Sequence, residues 1–81
     1  MDHKHVGFTI IRGTFPCEWC DKAIDHIDKM GHAYSIRKMS RSDLRNKGEE
    51  IGQTSVPMIY HGVRFIGGYT ELTKYLTQET R

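Results

Sequence analysis

Two cysteines, the only ones in the chain, stand two residues apart in the stretch Phe15-Pro16-Cys17-Glu18-Trp19-Cys20. An apolar run rich in β-branched residues (6–11) precedes this stretch, and a helical pattern of apolar residues follows it. The thiols are therefore predicted to lie where a strand ends and a helix begins. The first turn of a helix offers unpaired N–H groups and the positive end of its dipole, which stabilise a thiolate relative to a thiol. We predict Cys17 as a nucleophile and Cys20, one turn further on, as the thiol that resolves a mixed disulfide.

Two other roles for a cysteine pair are a structural disulfide and a metal site. A disulfide that closes so short a loop contributes only about 2 kcal/mol in the loop-entropy description. A zinc site would need His26 and His32, yet His26 follows Cys20 after a gap much shorter than the roughly 12 residues of a zinc finger. The 5 histidines are scattered and are expected to be solvated. Redox chemistry is therefore favoured, and no metal is expected.

The elements around the cysteines predict a single α/β domain over residues 1–81. Apolar and alternating runs predict four strands, at 6–12, 33–38, 58–60 and 63–66. Amphipathic patterns predict three helices, at 18–30, 41–50 and about 70–78. The order β-α-β-α-β-β-α gives one mixed four-stranded sheet flanked by three helices, with the first two strands parallel through a right-handed crossover.

Several residues mark the ends of these elements. Ser40 and Thr70 are predicted N-caps of the second and third helices, and Gly31 is predicted to follow the end of the first. Met30 is expected to complete the buried stripe of the first helix. The dipeptide His61-Gly62 predicts a tight hairpin between the last two strands.

Composition limits the remaining possibilities. The formal net charge of +2 over 81 residues is too small to argue for nucleic-acid binding. No apolar run approaches the roughly 18 residues of a membrane span, and the first residues do not form a signal peptide. We therefore expect a cytosolic protein whose thiols are kept reducible.

Three stretches of the sequence, taken together with their order and spacing along the chain, resemble a glutaredoxin of the small dithiol kind found in bacteria and their phages. They are Cys17-Glu18-Trp19-Cys20, Thr54-Ser55-Val56-Pro57 and Gly67-Gly68-Tyr69-Thr70-Glu71-Leu72. The resemblance covers nearly the whole chain. It implies a thioredoxin-like fold and a glutathione-dependent thiol–disulfide oxidoreductase that reduces protein disulfides and glutathione mixed disulfides.

The resemblance also implies a glutathione site. Trp19 would flank the bound tripeptide, and Ser55, Val56 and Pro57 would form a segment with a cis proline. There, the backbone of Val56 would pair with the cysteine of glutathione. Gly68, Tyr69 and Thr70 would hold a glutathione carboxylate at the start of the last helix, where anions bind well.

Two departures from the family pattern concern charge beside the nucleophile. Glu18 stands where the family usually has proline, and a carboxylate there disfavours the neighbouring thiolate. Thr14 stands where the family usually has Lys or Arg. Either Arg12 or Lys22 is expected to supply the missing cation, with Arg12 taken as a glutathione contact.

As such a protein, the chain would be a monomer that passes electrons from glutathione to disulfide-containing proteins, ribonucleotide reductase among them. Two alternatives stay open at this point. One is a carrier that holds an iron–sulfur cluster through its nucleophilic cysteine and glutathione. The other is a thioredoxin-like reductant that does not use glutathione.

Overall fold

A computed structural model describes residues 7–79 of the chain. Its elements, in chain order, are β1 (Phe8–Gly13), α1 (Glu18–Lys29), β2 (Tyr34–Met39), α2 (Arg41–Ile51), β3 (Met58–His61), β4 (Arg64–Gly67) and α3 (Tyr69–Glu79). The predicted β-α-β-α-β-β-α order is confirmed. Residue 6, the predicted start of the first strand, lies outside the described residues. None of the helices in the described range has the length and apolar character needed to span a membrane.

The four strands form one mixed sheet in the order β2-β1-β3-β4. β1 and β2 are parallel, whereas β3 is antiparallel to both β1 and β4. Because β1 runs opposite to β3, the loop that follows β1 and the segment that precedes β3 lie at the same end of the sheet. The cysteine motif belongs to the first of these and Val56-Pro57 to the second, so the topology brings two sequence-distant motifs together.

The core lies on both faces of the sheet because the side chains of β1 alternate. Phe8 and Ile10 point to the face covered by α1 and α3, where they pack with Ala23, Ile27, Ile59, Leu72 and Leu76. Ile11 points to the opposite face and packs with Leu44 of α2 and Met58 of β3. The face covered by α2 has the smaller cluster of buried side chains.

β2 is an edge strand with little cover on either face. Of its six residues, five are exposed and only Met39 is half-buried. Among the strands of residues 7–79, it pairs with β1 alone. The alternating pattern of this stretch thus predicts a strand correctly but does not indicate a buried face.

Local signals explain where α1 ends and α2 begins. Gly31 has a φ of +80°, and the N–H groups of Gly31 and His32 donate to the carbonyls of Asp28 and Ile27. This is the Schellman arrangement that glycine favours. The Ser40 hydroxyl accepts from the N–H of Asp43 at 3.2 Å, which confirms Ser40 as an N-cap. Met30, in contrast, is exposed at the end of α1, so its predicted place in the buried stripe is wrong.

The predicted cap of the last helix is wrong by two residues. α3 begins at Tyr69, and the carbonyl of Gly68 accepts the first helical bond, from the N–H of Leu72 at 2.9 Å. The Glu71 carboxylate accepts in turn from the N–H of Gly68 at 2.8 Å. Gly68 is therefore the N-cap and Glu71 supplies the reciprocal half of a capping box. Thr70 lies inside the first turn.

Two further expectations near the β3–β4 hairpin are corrected. His61 pairs with Arg64 across the hairpin, so the turn consists of Gly62 and Val63. Val63, predicted in a strand, is 99% exposed at this turn. His61, expected to be solvated, stacks on Phe8 with 4.2 Å between ring centroids, and its Nδ1 lies 2.6 Å from the Tyr75 hydroxyl. His3 and His5 lie outside the described residues.

Candidate active site

The two cysteines are joined in a disulfide at the start of α1. Cys17 is the N-cap, with extended backbone, and its Sγ accepts from the N–H of Cys20 at 3.1 Å. Cys17 is half-buried, whereas Cys20 is fully buried. The local structure thus gives Cys17 both access to solvent and a donor that would remain aimed at its sulfur as a thiolate. Cys20 has neither solvent access nor a hydrogen-bonded sulfur in the described structure.

Arg12 connects β1 to the loop and helix that carry the cysteines. Its Nη1 donates to Asp21 Oδ1 at 2.8 Å, and its Nη2 donates to the carbonyl of Phe15 at 3.3 Å. The side chain is only 14% exposed. Its Nε is buried and has no hydrogen-bond partner among residues 7–79. Arg12 therefore lies beneath the loop that leads to Cys17, with both terminal nitrogens occupied.

A cleft of about 270 Å³ opens beside the cysteine motif. Seven of the eight predicted glutathione contacts line it, all except Arg12, and Glu71 lines it as well. The predicted residues thus come together from three separate stretches: Trp19, Ser55, Val56, Pro57, Gly68, Tyr69 and Thr70.

The aromatic wall of the cleft consists of Trp19 and Tyr69, with ring centroids 5.4 Å apart. Trp19 is 53% exposed, which is unusual for so large an apolar side chain. The ammonium of Lys22 lies 4.6 Å from the Trp19 ring centroid and 3.3 Å from the Glu18 carboxylate. Lys22 therefore offsets the negative charge that Glu18 brings to the motif.

A second wall of the cleft is the segment around Val56 and Pro57, whose peptide bond is cis, as the sequence resemblance implied. The Gln53 side-chain amide donates to the carbonyls of Ser55 and Pro57, at 2.9 and 3.0 Å. Within residues 7–79, no group forms a hydrogen bond with the N–H or C=O of Val56. The segment is thus fixed in place while the backbone of Val56 stays available to an extended ligand. Gln53 was missed in the sequence because nothing in its neighbours marks this role.

The third side of the cleft is the start of α3. Glu71 occupies the N–H of Gly68, but the N–H groups of Tyr69 and Thr70 have no partner in the described part of the chain. Such free donors, together with the helix dipole, attract an anion.

Among residues 7–79, no group of three or more His, Cys, Asp and Glu side chains is arranged to hold a metal ion.

No protein-family model and no curated protein match this sequence. Solved structures do match. The holo form of glutaredoxin C1 from Populus tremula x tremuloides is 14% identical, with a TM-score of 0.74, and the match covers 95% of this chain and 73% of that one. The glutathione complex of buckwheat glutaredoxin is 17% identical, with a TM-score of 0.72 over 95% and 74% of the two chains. Wheat glutaredoxin is 15% identical, with a TM-score of 0.71 over 98% and 79%. The chain therefore has the thioredoxin-like fold seen in glutaredoxins.

Proposed function

We propose that the protein is a glutathione-dependent thiol–disulfide oxidoreductase that reduces glutathione mixed disulfides and protein disulfides. The observation that carries the proposal is the position of the cleft. It lies beside an accessible cysteine at a helix start, with an open backbone edge on one side and a second helix start on another. The buckwheat structure, which has the same fold, is a complex with glutathione.

The reaction begins with the Cys17 thiolate. It attacks one sulfur of a substrate disulfide, a Cys17–substrate disulfide forms, and the other sulfur leaves as a thiolate that takes up a proton. With a glutathionylated substrate, glutathione remains on Cys17, and a second glutathione thiolate releases it as glutathione disulfide. With a protein disulfide, the Cys20 thiolate attacks the Cys17 sulfur, the Cys17–substrate bond breaks, and the substrate leaves as its second thiolate, which takes up a proton. This forms the internal disulfide of this structure, which two glutathione molecules then reduce to the dithiol as they become glutathione disulfide.

Three features of this chain favour the first step. The N–H of Cys20 donates to the Cys17 sulfur, and the dipole of α1 has its positive end there. Lys22 is paired with Glu18, so the carboxylate next to the nucleophile is partly neutralised. Arg12 fixes the loop before Cys17 through its bonds to Phe15 and Asp21. Each feature stabilises or positions the thiolate, the form that reacts.

Glutathione would bind along the cleft as an extended tripeptide. The N–H and C=O of Val56 would pair with its cysteine residue, as strands pair at a sheet edge. One carboxylate would accept from the N–H groups of Tyr69 and Thr70. Of the two candidate cations, we infer that Lys22 contacts the ligand, because it is beside Trp19 and half exposed, whereas Arg12 is covered and already paired.

The test compares glutathione with a neutral monothiol at matched thiolate concentration. A helix start contributes roughly 0.3–1 kcal/mol to an exposed anion, and a charge-assisted hydrogen bond about 1.5–3 kcal/mol. Glutathione should therefore reduce the oxidised protein about tenfold to a thousandfold faster, and added salt should narrow the difference. Without any advantage for glutathione at low salt, the thioredoxin-like alternative would replace this proposal.

A matched pair of variants tests the contact with Lys22. Lys22 and Lys29 both lie on α1, and each pairs with a carboxylate four residues earlier. Lys22→Gln should reduce the glutathione advantage by up to about fivefold, as expected for one exposed charge contact, whereas Lys29→Gln should leave it unchanged. The cytosolic location and the protein substrates stay predictions from the sequence.

A further inference from the structure

A second cleft, of about 590 Å³, lies between α2 and residues 54–56. It is more than twice the volume of the first, at about 270 Å³. Its apolar lining comes from Phe15, Leu44 and Val56, which belong to the smaller core cluster. Its polar lining includes two guanidinium groups of α2, on Arg41 and Arg45.

The two clefts share a wall and lie on either side of the cysteine motif, since Phe15 lines one and Trp19 the other. Ser55 and Val56 line both of them. Phe15, on the wall of the second cleft, stands two residues before Cys17. A polypeptide that is joined to Cys17 and paired with the backbone of Val56 would therefore continue from the first cleft into the second.

The second cleft combines apolar surface with positive charge. The Arg41 guanidinium carbon lies 4.6 Å from the centroid of the Phe15 ring, and Arg45 follows one helical turn later. Glu49 also lines the cleft. Neither arginine forms an ion pair with a carboxylate of residues 7–79. Two guanidinium groups therefore face one carboxylate, which leaves the cleft complementary to an acidic ligand.

We propose that this cleft binds the segment of a protein substrate that flanks its reactive cysteine, and that it favours an apolar side chain next to an acidic one. The apolar side chain would lie against Phe15 and Leu44, and the carboxylate would pair with Arg41 and Arg45. The proposal rests on the proposed function, since the cysteine of the same segment must react with Cys17. It adds recognition of the protein substrate to recognition of glutathione.

The test uses short synthetic peptides with a single cysteine, held as a mixed disulfide with a chromophoric aromatic thiol. Each peptide has a leucine next to one variable residue, which is Glu, Gln or Lys. This pair stands before the cysteine in one series of peptides and after it in another. Cys17 of the reduced protein attacks the peptide sulfur, a Cys17–peptide disulfide forms, and the aromatic thiolate leaves with the electron pair of the broken bond. Its absorbance gives the second-order rate constant.

Exposed ion pairs contribute little individually, so the two arginines together should make the Glu peptides react about twofold to thirtyfold faster than the Gln peptides. The Lys peptides should be slowest, and high salt should remove the differences. The Arg41→Gln/Arg45→Gln double variant should lose the preference. Arg64→Gln, on β4 where the guanidinium lies 5.5 Å from the Tyr75 ring of α3, should keep it and serves as the control for loss of positive charge.

Two results would overturn the inference while the proposed function stands. One is an equal rate for Glu and Gln peptides with the unaltered protein. The other concerns the double variant. If its rates with the Gln peptides and with a glutathione–aromatic disulfide both fall by the same factor relative to the unaltered protein, the arginines act on Cys17 or on glutathione. If the unaltered protein reacts with none of these disulfides faster than free cysteine does, the proposed function itself fails.

Discussion

The two cysteines differ in exposure, and their roles should differ accordingly. Cys17 is half-buried and accepts an N–H donor, whereas Cys20 is fully buried. We expect Cys17→Ser to abolish all disulfide reduction. Cys20→Ser should spare the reduction of glutathionylated substrates and lose most reduction of protein disulfides, because only the latter requires a resolving thiol. Parallel assays with the two substrate types check this, and equal loss of both activities in both variants would contradict the assignment.

The side chain of Gln53 forms two hydrogen bonds on which one wall of the cleft is expected to depend. Its amide bonds to the carbonyls of Ser55 and Pro57 hold the wall against which glutathione is proposed to bind. Gln53→Ala should lower the free energy of unfolding by about 1–2 kcal/mol and reduce the advantage of glutathione over a neutral thiol. Urea denaturation and the thiol comparison measure the two effects. Asn46→Ala, at an exposed position of α2, is the control. Normal glutathione preference in Gln53→Ala would show that the wall does not need this support.

At the residue scale, the sequence predicts which residues line the cleft better than it predicts the contacts that support them. Residue type and spacing indicate the thiols, and the structure brings seven of the eight predicted glutathione contacts to one cleft. The contacts of Gln53 and of His61 depend on which elements meet in three dimensions, and no local pattern encodes them. Arg12 shows the same limit, since its nearest partner, Asp21, becomes a neighbour only when α1 folds back beside β1.

Among the elements, the packing of helix α2 depends on one close backbone contact, between Gly48 and residues 53–54. A Cβ added at Gly48 would lie 2.7 Å from the carbonyl oxygen of Gln53 and 3.2 Å from the Cα of Thr54, so the backbone there would have to move. A glycine inside a helix usually costs about 1 kcal/mol relative to alanine, but an overlap of this kind typically costs about 1–3 kcal/mol. Gly48→Ala should therefore destabilise the protein or leave it unchanged, instead of stabilising it.

The same substitution should also affect the site, because Thr54 begins the segment that separates the two clefts. Slower reaction with both glutathione and peptide disulfides is expected. Urea denaturation and the rate measurements test this, with Asn46→Ala on the same helix as the control. A clear gain in stability would show that α2 packs less closely on residues 53–54 than the structure indicates.

The ends of the elements were predictable where a single residue decides them. Gly31 and Ser40 fulfil their predicted roles because glycine accepts a positive φ and serine accepts an N–H. Thr70 fails as a cap since the helix is capped two residues earlier, where the carbonyl of Gly68 accepts from the N–H of Leu72 and Glu71 accepts from the N–H of Gly68. Val63 has high strand propensity, but the pairing of His61 with Arg64 places it in the turn.

On the scale of the whole molecule, stability should be concentrated in the face covered by α1 and α3. A domain of this length has a free energy of unfolding of about 4–12 kcal/mol, so a single large cavity removes much of it. Ile10 and Ile36 offer a matched comparison, because they are register partners in β1 and β2. Ile10 is 0% exposed and Ile36 is 46% exposed.

Ile10→Ala should lower the free energy of unfolding by about 2–5 kcal/mol, through lost burial and the cavity that remains. Ile36→Ala should cost less than about 1 kcal/mol, since nearly half of its side chain already contacts water. Both changes remove the same atoms from a strand, so the difference between them measures burial. Urea denaturation of the oxidised variants gives both values. If Ile36→Ala costs as much as Ile10→Ala, β2 must be covered in solution, and a midpoint that rises with protein concentration would identify a second copy of the chain as the cover.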